Sequence, residues 1–177
     1  MSSRLVISAI APNQPGMANK ITRLISDLGA TILESRMTVM GNEFAVIMEV
    51  GGEWNALAKL EHQLPAKAQS LNLITMFKRT DESPTEERAA PYRVRIITLE
   101  DKGVTSEITE FFAEKKINIE EMNCHTYHAP HTGTLMGEIK MTVSISVDAS
   151  LAKIKRDFEE LCTKRNLDAN IEPLQTA

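Results

Sequence analysis

Cysteine is nearly absent from this sequence: only Cys124 and Cys162 occur in 177 residues. Two thiols are too few for a disulfide framework, so both are expected to be reduced. A basic surplus is missing as well, since 20 lysines and arginines face 24 aspartates and glutamates, for a formal charge of −4. Nonspecific DNA affinity comes mainly from cations that neutralise phosphates, and this chain has none to spare. Its one local basic cluster, Lys153, Lys155, Arg156, Lys164 and Arg165, is interrupted by Asp157, Glu159 and Glu160 and reads as a solvated helix face. No apolar run approaches the roughly 20 residues needed to cross a bilayer. The stretch Leu5 to Ala11 is short, is broken by Ser8 and has no convincing A-x-A cleavage site after it, so a cytoplasmic protein is expected. The G-x-S-x-G elbow, the P-loop and the glycine-rich dinucleotide fingerprint are all missing, which argues against an enzyme and against a cofactor.

What is present is the composition of a globular protein, with 42% hydrophobic and 25% charged residues. The length suits one ordinary domain or two small ones, since domains of about 70 to 90 residues are near the lower limit for a self-sustaining core. An internal repeat decides for two. Leu5 to Ala11 (LVISAIA) reads as a buried strand, Pro12-Asn13-Gln14-Pro15-Gly16 as a tight loop, and Met17, Ile21, Leu24, Ile25 and Leu28 as one helix face ending at Gly29. Tyr92 to Leu99, then Glu100-Asp101-Lys102-Gly103, then Val104, Ile108, Phe111 and Phe112 repeat that order, with Gly16 and Ile21 matching Gly103 and Ile108 at one offset of 87.

The second half of each unit agrees. Thr31 to Met40 and Glu43 to Val50 are β-rich and joined by Gly41-Asn42, a hairpin turn whose residues tolerate positive φ. A helix through Trp54, Leu57, Leu60 and Leu64 is expected to stop at Pro65, before a last strand from Leu71 to Thr80. The counterparts are Ile117 to Tyr127, Met136 to Val147, a helix with Leu151, Ile154, Phe158 and Leu161, and a weak strand near Asn170 to Leu174. About ten extra residues precede the third strand of the second unit, if Val50 corresponds to Val147. Asp81 to Pro91 (DESPTEERAAP) is polar, holds two prolines and reads as a linker. The expected architecture is α+β: a domain at 1–80, a linker at 81–91 and a domain at 92–177, each βαββαβ with an antiparallel sheet. Helices must cover one face of such a sheet. The other face and the edge strands stay available for pairing, within the chain or in a homo-oligomer.

The Pro15-Gly16 loop has two readings from its residues. As an amino-acid site, Gly16 lets the backbone approach a ligand, the amides around Met17 and Ala18 accept a carboxylate, and Asn13 and Asn19 meet the ammonium. As plain structure, Pro-Gly starts a helix that Asn13 caps. A rival cluster, Cys124-His125-Thr126-Tyr127-His128-Ala129-Pro130-His131, holds three of the four histidines. In a strand only Cys124 and His128 of these would converge, and no zinc motif is present, so no metal is expected. Met37, Met40, Met48 and Met76 fall in strands and read as core filling.

The segment ISAIAPNQPGMANKITRLISDLGATI resembles the opening of an ACT domain, in which a Pro-Gly loop after the first strand begins the first helix. The order of PNQPG, ILESRM, GNEFAVIMEV, GEWNALAKLEHQLP and LITMFKRT is similar to a bacterial family of tandem ACT-domain repressors that control glycine cleavage genes. The resemblance implies two ferredoxin-like domains and a ligand loop at Asn13, Gln14, Pro15, Gly16, Met17, Ala18 and Asn19. It further implies a small amino acid as ligand, glycine above all, and a DNA-binding transcriptional activator, not DNA, as partner. Such loops usually carry an aspartate three residues before the glycine; Asn13 stands there, so an ammonium contact loses its charge assistance. The second unit has Glu100-Asp101-Lys102-Gly103 in place of the Pro-Gly loop, which leaves ligand binding there open. Two other classes compete: a detached ACT module that modulates an enzyme of amino-acid metabolism, and a metal-dependent enzyme built on the histidine cluster.

Overall fold

The computed structural model describes residues 4–81, 89–99 and 103–174. The chain divides into two compact units, Met1–Pro84 and Thr85–Ala177. In the first, alternating apolar residues make β1 (Arg4–Pro12), β2 (Thr31–Met40), β3 (Glu43–Gly51) and β4 (Ile74–Thr80), with α1 (Met17–Asp27) and α2 (Trp54–Ser70) between them. All pairings are antiparallel, in the order β2-β3-β1-β4. Leu5, Ile7 and Ala9 of β1 and Val46, Met48 and Val50 of β3 point to one face and are buried. Met17, Ile21, Leu24 and Ile25 of α1 and Leu57, Leu60, Leu64 and Ala68 of α2 close over them. The i, i+4 spacing of these positions makes each helix amphipathic, and the period of two makes the sheet two-sided. Arg79 of β4 fastens to α2 by two bonds of 2.8 Å to Glu61. The guanidinium holds the Glu61 carboxyl below its usual range.

The second unit repeats this plan with β5 (Ala89–Leu99), α3 (Val104–Glu114), β6 (Asn118–His128), β7 (Leu135–Ser146), α4 (Leu151–Arg165) and β8 (Asp168–Pro173), in sheet order β6-β7-β5-β8. Its core gathers Val94, Ile96, Ile139, Met141 and Val143 from the sheet under Ile108, Phe112 and Phe158. The rings of Phe111, Phe112 and Phe158 pack at centroid distances of 5.2 to 5.7 Å, within the range of favourable aromatic contacts. No helix among the described residues is long and apolar enough to cross a membrane.

Several boundaries differ from the sequence expectation. Pro65 does not stop α2, which runs on to Ser70. A mid-helix proline forfeits one backbone bond and costs about 3 kcal/mol. Leu64 just before the proline and Ala68 in the turn after it are buried, and their burial works against the loss. The extra turn pushes the return into residues that the sequence assigned to the last strand. Leu71 to Leu73 form the return, with Asn72 at φ 55°, and β4 starts at Ile74 instead of Leu71. β5 starts three residues earlier than expected, at Ala89, because Ala89, Ala90 and Pro91 lie opposite Ser146, Ile145 and Ser144 of β7. Of the other residues expected as linker, 82–88 lie outside the described residues, as do Glu100, Asp101 and Lys102.

The alignment of the two units also shifts. Val50 lies opposite Ile32, and its counterpart opposite Ile119 is Val143, not Val147, so 50 matches 143 at an offset of 93. Both edge strands skip one residue at the same place, Ile32/Glu34 and Ile119/Glu121. Six extra residues, not about ten, therefore separate the two matches, and they sit at the tip of the β6–β7 hairpin. A lone valine carries too little information to fix strand register, whereas the shared bulge does.

Candidate functional site

The β1–α1 loop is shaped by one left-handed residue. Gly16 sits at φ 85°, ψ 0° as the N-cap of α1, a conformation that L side chains rarely adopt. Its carbonyl accepts the first helical bond, from the Lys20 amide at 2.9 Å. Asn13 does not cap the helix. Its backbone amide donates to Asn42 O at 2.9 Å, tying the loop to the β2–β3 turn, and no side chain caps α1. The Met17 amide is also engaged, donating to Gln14 O at 3.2 Å, while its side chain is buried. The amides of Ala18 and Asn19 are the donors that the helix start turns outward without a backbone acceptor among the described residues. No acidic residue stands in the first turn of α1, so its positive end is uncompensated.

Beside this loop lies a solvent-open cavity of about 120 Å³, lined by Pro12, Gln14, Met17, Lys20, Ser70, Leu71 and Asn72. At roughly 30 Å³ per water this is room for about four waters, the scale of a small amino acid. Gln14 and Met17 border it directly. Asn13, Pro15, Gly16, Ala18 and Asn19 stand around the loop without lining it. Lys20 is the only charged residue in the lining and suits a carboxylate; Gln14, Ser70 and Asn72 offer neutral oxygens to an ammonium. Lys20, Ser70, Leu71 and Asn72 were not singled out from the sequence. The helix that delivers the last three was expected to end at Pro65, and Lys20 lies one turn beyond the loop motif. The i, i+4 relation between Gly16 and Lys20 was the available signal.

The equivalent loop of the second unit keeps the backbone device and changes the charge. Gly103 caps α3 at φ 102°, but Glu107 stands in that first turn and pairs with Arg165 at 2.7 Å. A carboxylate arriving at α3 meets an acid already in place.

The histidine cluster separates as a strand must. Cys124, Thr126 and His128 pair across to Ile139, Gly137 and Leu135 on one face; His125 and Tyr127 stack on the other, with centroids 6.1 Å apart. No group of three or more metal-ligand side chains forms among the described residues. Cys124 is exposed, whereas Cys162 is buried on α4, and burial followed by the nearby Glu159 pushes its thiol up to about 11. A thiol at that value is almost wholly protonated at neutral pH and unreactive. A disulfide reagent should therefore modify Cys124 rapidly in the native chain and Cys162 only on unfolding, as counted by mass spectrometry with and without denaturant.

Residues 3–78, the span of the first unit, match the ACT domain family. Over 167 residues the chain is 32% identical to the glycine cleavage system transcriptional repressor of Escherichia coli (strain K12), covering 94% of this chain and 88% of that one; the Shigella flexneri repressor matches equally. Among solved structures, a candidate glycine cleavage system transcriptional repressor superposes over 99% of both chains with a TM-score of 0.75 at 26% identity. An unknown protein from Galdieria sulphuraria reaches 0.80 at 18% identity, covering 99% of this chain and all of that one, which shows a shared fold alone.

Proposed function

This chain belongs to the family of the glycine cleavage system transcriptional repressor, built from tandem ACT domains, and we propose that it senses a small amino acid, glycine first, and represses through contact with a DNA-binding activator. The regulatory role comes with the family. The ligand, the partner and action in the cytoplasm are readings that the resemblance implies; the chemistry of the first loop supports the ligand, and the formal charge of −4 argues against DNA as the direct target. A carboxylate docks at the ammonium of Lys20, where the bare start of α1 adds its positive potential. The ligand's ammonium meets amide and hydroxyl oxygens from Gln14, Asn72 and Ser70, without a carboxylate partner. Discrimination rests on size: a cavity of about 120 Å³ suits glycine, alanine or serine better than a branched side chain. The observation that carries this reading is the cavity of the first unit beside the uncompensated start of α1. Titrating glycine, alanine, serine and leucine into the chain tests it: the three small amino acids should bind and leucine should not.

Repression through a protein has its own expected result. With a formal charge of −4, the purified chain should leave operator DNA unshifted in a gel at physiological salt, and change its mobility only with the activator present. Salt-dependent binding of DNA by the chain alone, at micromolar concentration or tighter, would contradict it.

A further inference from the structure

The two units begin and end their helices in the same way and differ in what joins those ends. Each first helix starts from a left-handed glycine whose carbonyl accepts the amide four residues on: Lys20 to Gly16 in α1 and Glu107 to Gly103 in α3, both at 2.9 Å. Each second helix closes on a left-handed asparagine, Asn72 at φ 55° and Asn166 at φ 53°. The next amide folds back in both, Leu73 to Ala68 O and Leu167 to Cys162 O, again at 2.9 Å. These matched bonds make Glu107 the counterpart of Lys20, and Arg165 the counterpart of Leu71, the residue before each asparagine. In the second unit the two positions are joined by an ion pair, Arg165 to Glu107 at 2.7 Å. In the first they are Lys20 and Leu71, and both line the cavity of about 120 Å³.

Electrostatics gives that cavity a definite complement. The start of a helix carries a partial positive charge and its end a partial negative one, from amides and carbonyls without intrahelical partners. In the second unit an acid sits at the start of α3 and a base at the end of α4, each where the helix favours it, and their pairing ties the two helices together. The first unit places the cation Lys20 at the positive start of α1 and neutral Leu71 at the end of α2; Lys67, in that last turn, is exposed and lies outside the cavity lining. The complement of these two ends is a negative group toward α1 and a positive group toward α2, and a zwitterion carries both in one small molecule. Resting on the amino-acid site read above, we propose that its ligand takes the place of the Glu107–Arg165 pair, with its carboxylate toward Lys20 and its ammonium toward the last carbonyls of α2. The ligand is then a tie between α1 and α2, and the second unit is a copy held shut by its own side chains, which needs no ligand. The same division accounts for Asn13: an ammonium met at the end of α2 requires no aspartate in the β1–α1 loop.

Hydrogen exchange of the chain, read by mass spectrometry with and without saturating glycine, tests this, with calorimetry to measure binding and circular dichroism to confirm that each variant folds. Glycine should slow exchange about tenfold at the end of α2, over residues 66–73, as well as at the start of α1, and leave the end of α4 unchanged. Lys20→Glu combined with Leu71→Arg should build the second unit's pair into the first: glycine binding is lost, and the end of α2 exchanges several-fold more slowly than in unliganded wild type. Arg165→Leu should speed exchange at the end of α4 several-fold, and glycine should not restore it. Glycine that binds wild type but protects only the β1–α1 loop and the start of α1 overturns the tie and leaves the amino-acid site standing. A wild type that binds no glycine overturns the site itself, and the tie with it. A folded double variant whose α2 exchanges no more slowly than unliganded wild type overturns the proposal as well.

Discussion

Replacing Phe112 by alanine should destabilise the second unit by about 3–5 kcal/mol, the usual cost of emptying a buried aromatic site. Phe112 is wholly buried, at 0% exposure, in contact with the rings of Phe111 and Phe158 and under the sheet residues of its core. Helix and sheet backbones cannot close the void, because α3 is held by the buried Ile108 one turn earlier and Val104 two turns earlier. A domain of this size is stable by roughly 5–15 kcal/mol, so much of its margin would go. Urea unfolding followed by circular dichroism should show a lower midpoint for one part of the transition. A loss below about 1 kcal/mol would mean that the packing of this core is wrongly described.

Gly16→Val should raise the dissociation constant for glycine more than tenfold while leaving the fold intact. A β-branched residue at φ 85° carries strain of order 1–3 kcal/mol, relieved only by moving the loop that holds Ala18, Asn19 and Lys20 in place. A Cβ built on Gly16 meets nothing within 4 Å, so no clash with the core accompanies the change. The second loop supplies the control: Gly103 has the same left-handed geometry and the same open surroundings. Gly103→Val should strain its own loop equally and alter ligand affinity much less, since Glu107 makes that helix start a poor carboxylate site. Equal losses in both variants, measured by calorimetry, would mean that the first loop has no special part in binding.

The repeat was legible because it rests on periodicity. A spacing of two buries alternate residues of β1 and β5, a spacing of four buries Ile21 and Ile25 or Ile108 and Phe112, and both patterns survive at an offset of 87 despite little identity. Glycine at the helix starts was legible too, since only a residue without Cβ enters those turns freely. What escaped depended on contacts between distant residues. Pro65 reads as a stop unless Leu64 and Ala68 are known to lie against the sheet, and with that error went Ser70, Leu71 and Asn72 of the cavity lining. The engaged amides of Asn13 and Met17 follow from a contact with Asn42 and a local turn, neither of which spacing reveals. The register of the β6–β7 hairpin likewise needed its bulge, because valines are plentiful in both strands.

The proposed sensing by the first unit stands on one interaction, that of a small amino acid with the start of α1, and calorimetric titration of glycine into the chain measures it directly. Expected is one saturable binding event per chain, abolished or weakened more than tenfold in folded Gly16→Val and kept in Gly103→Val. A titration without binding heat at several temperatures, or unchanged affinity in folded Gly16→Val, would contradict it and leave the loop as a helix start alone.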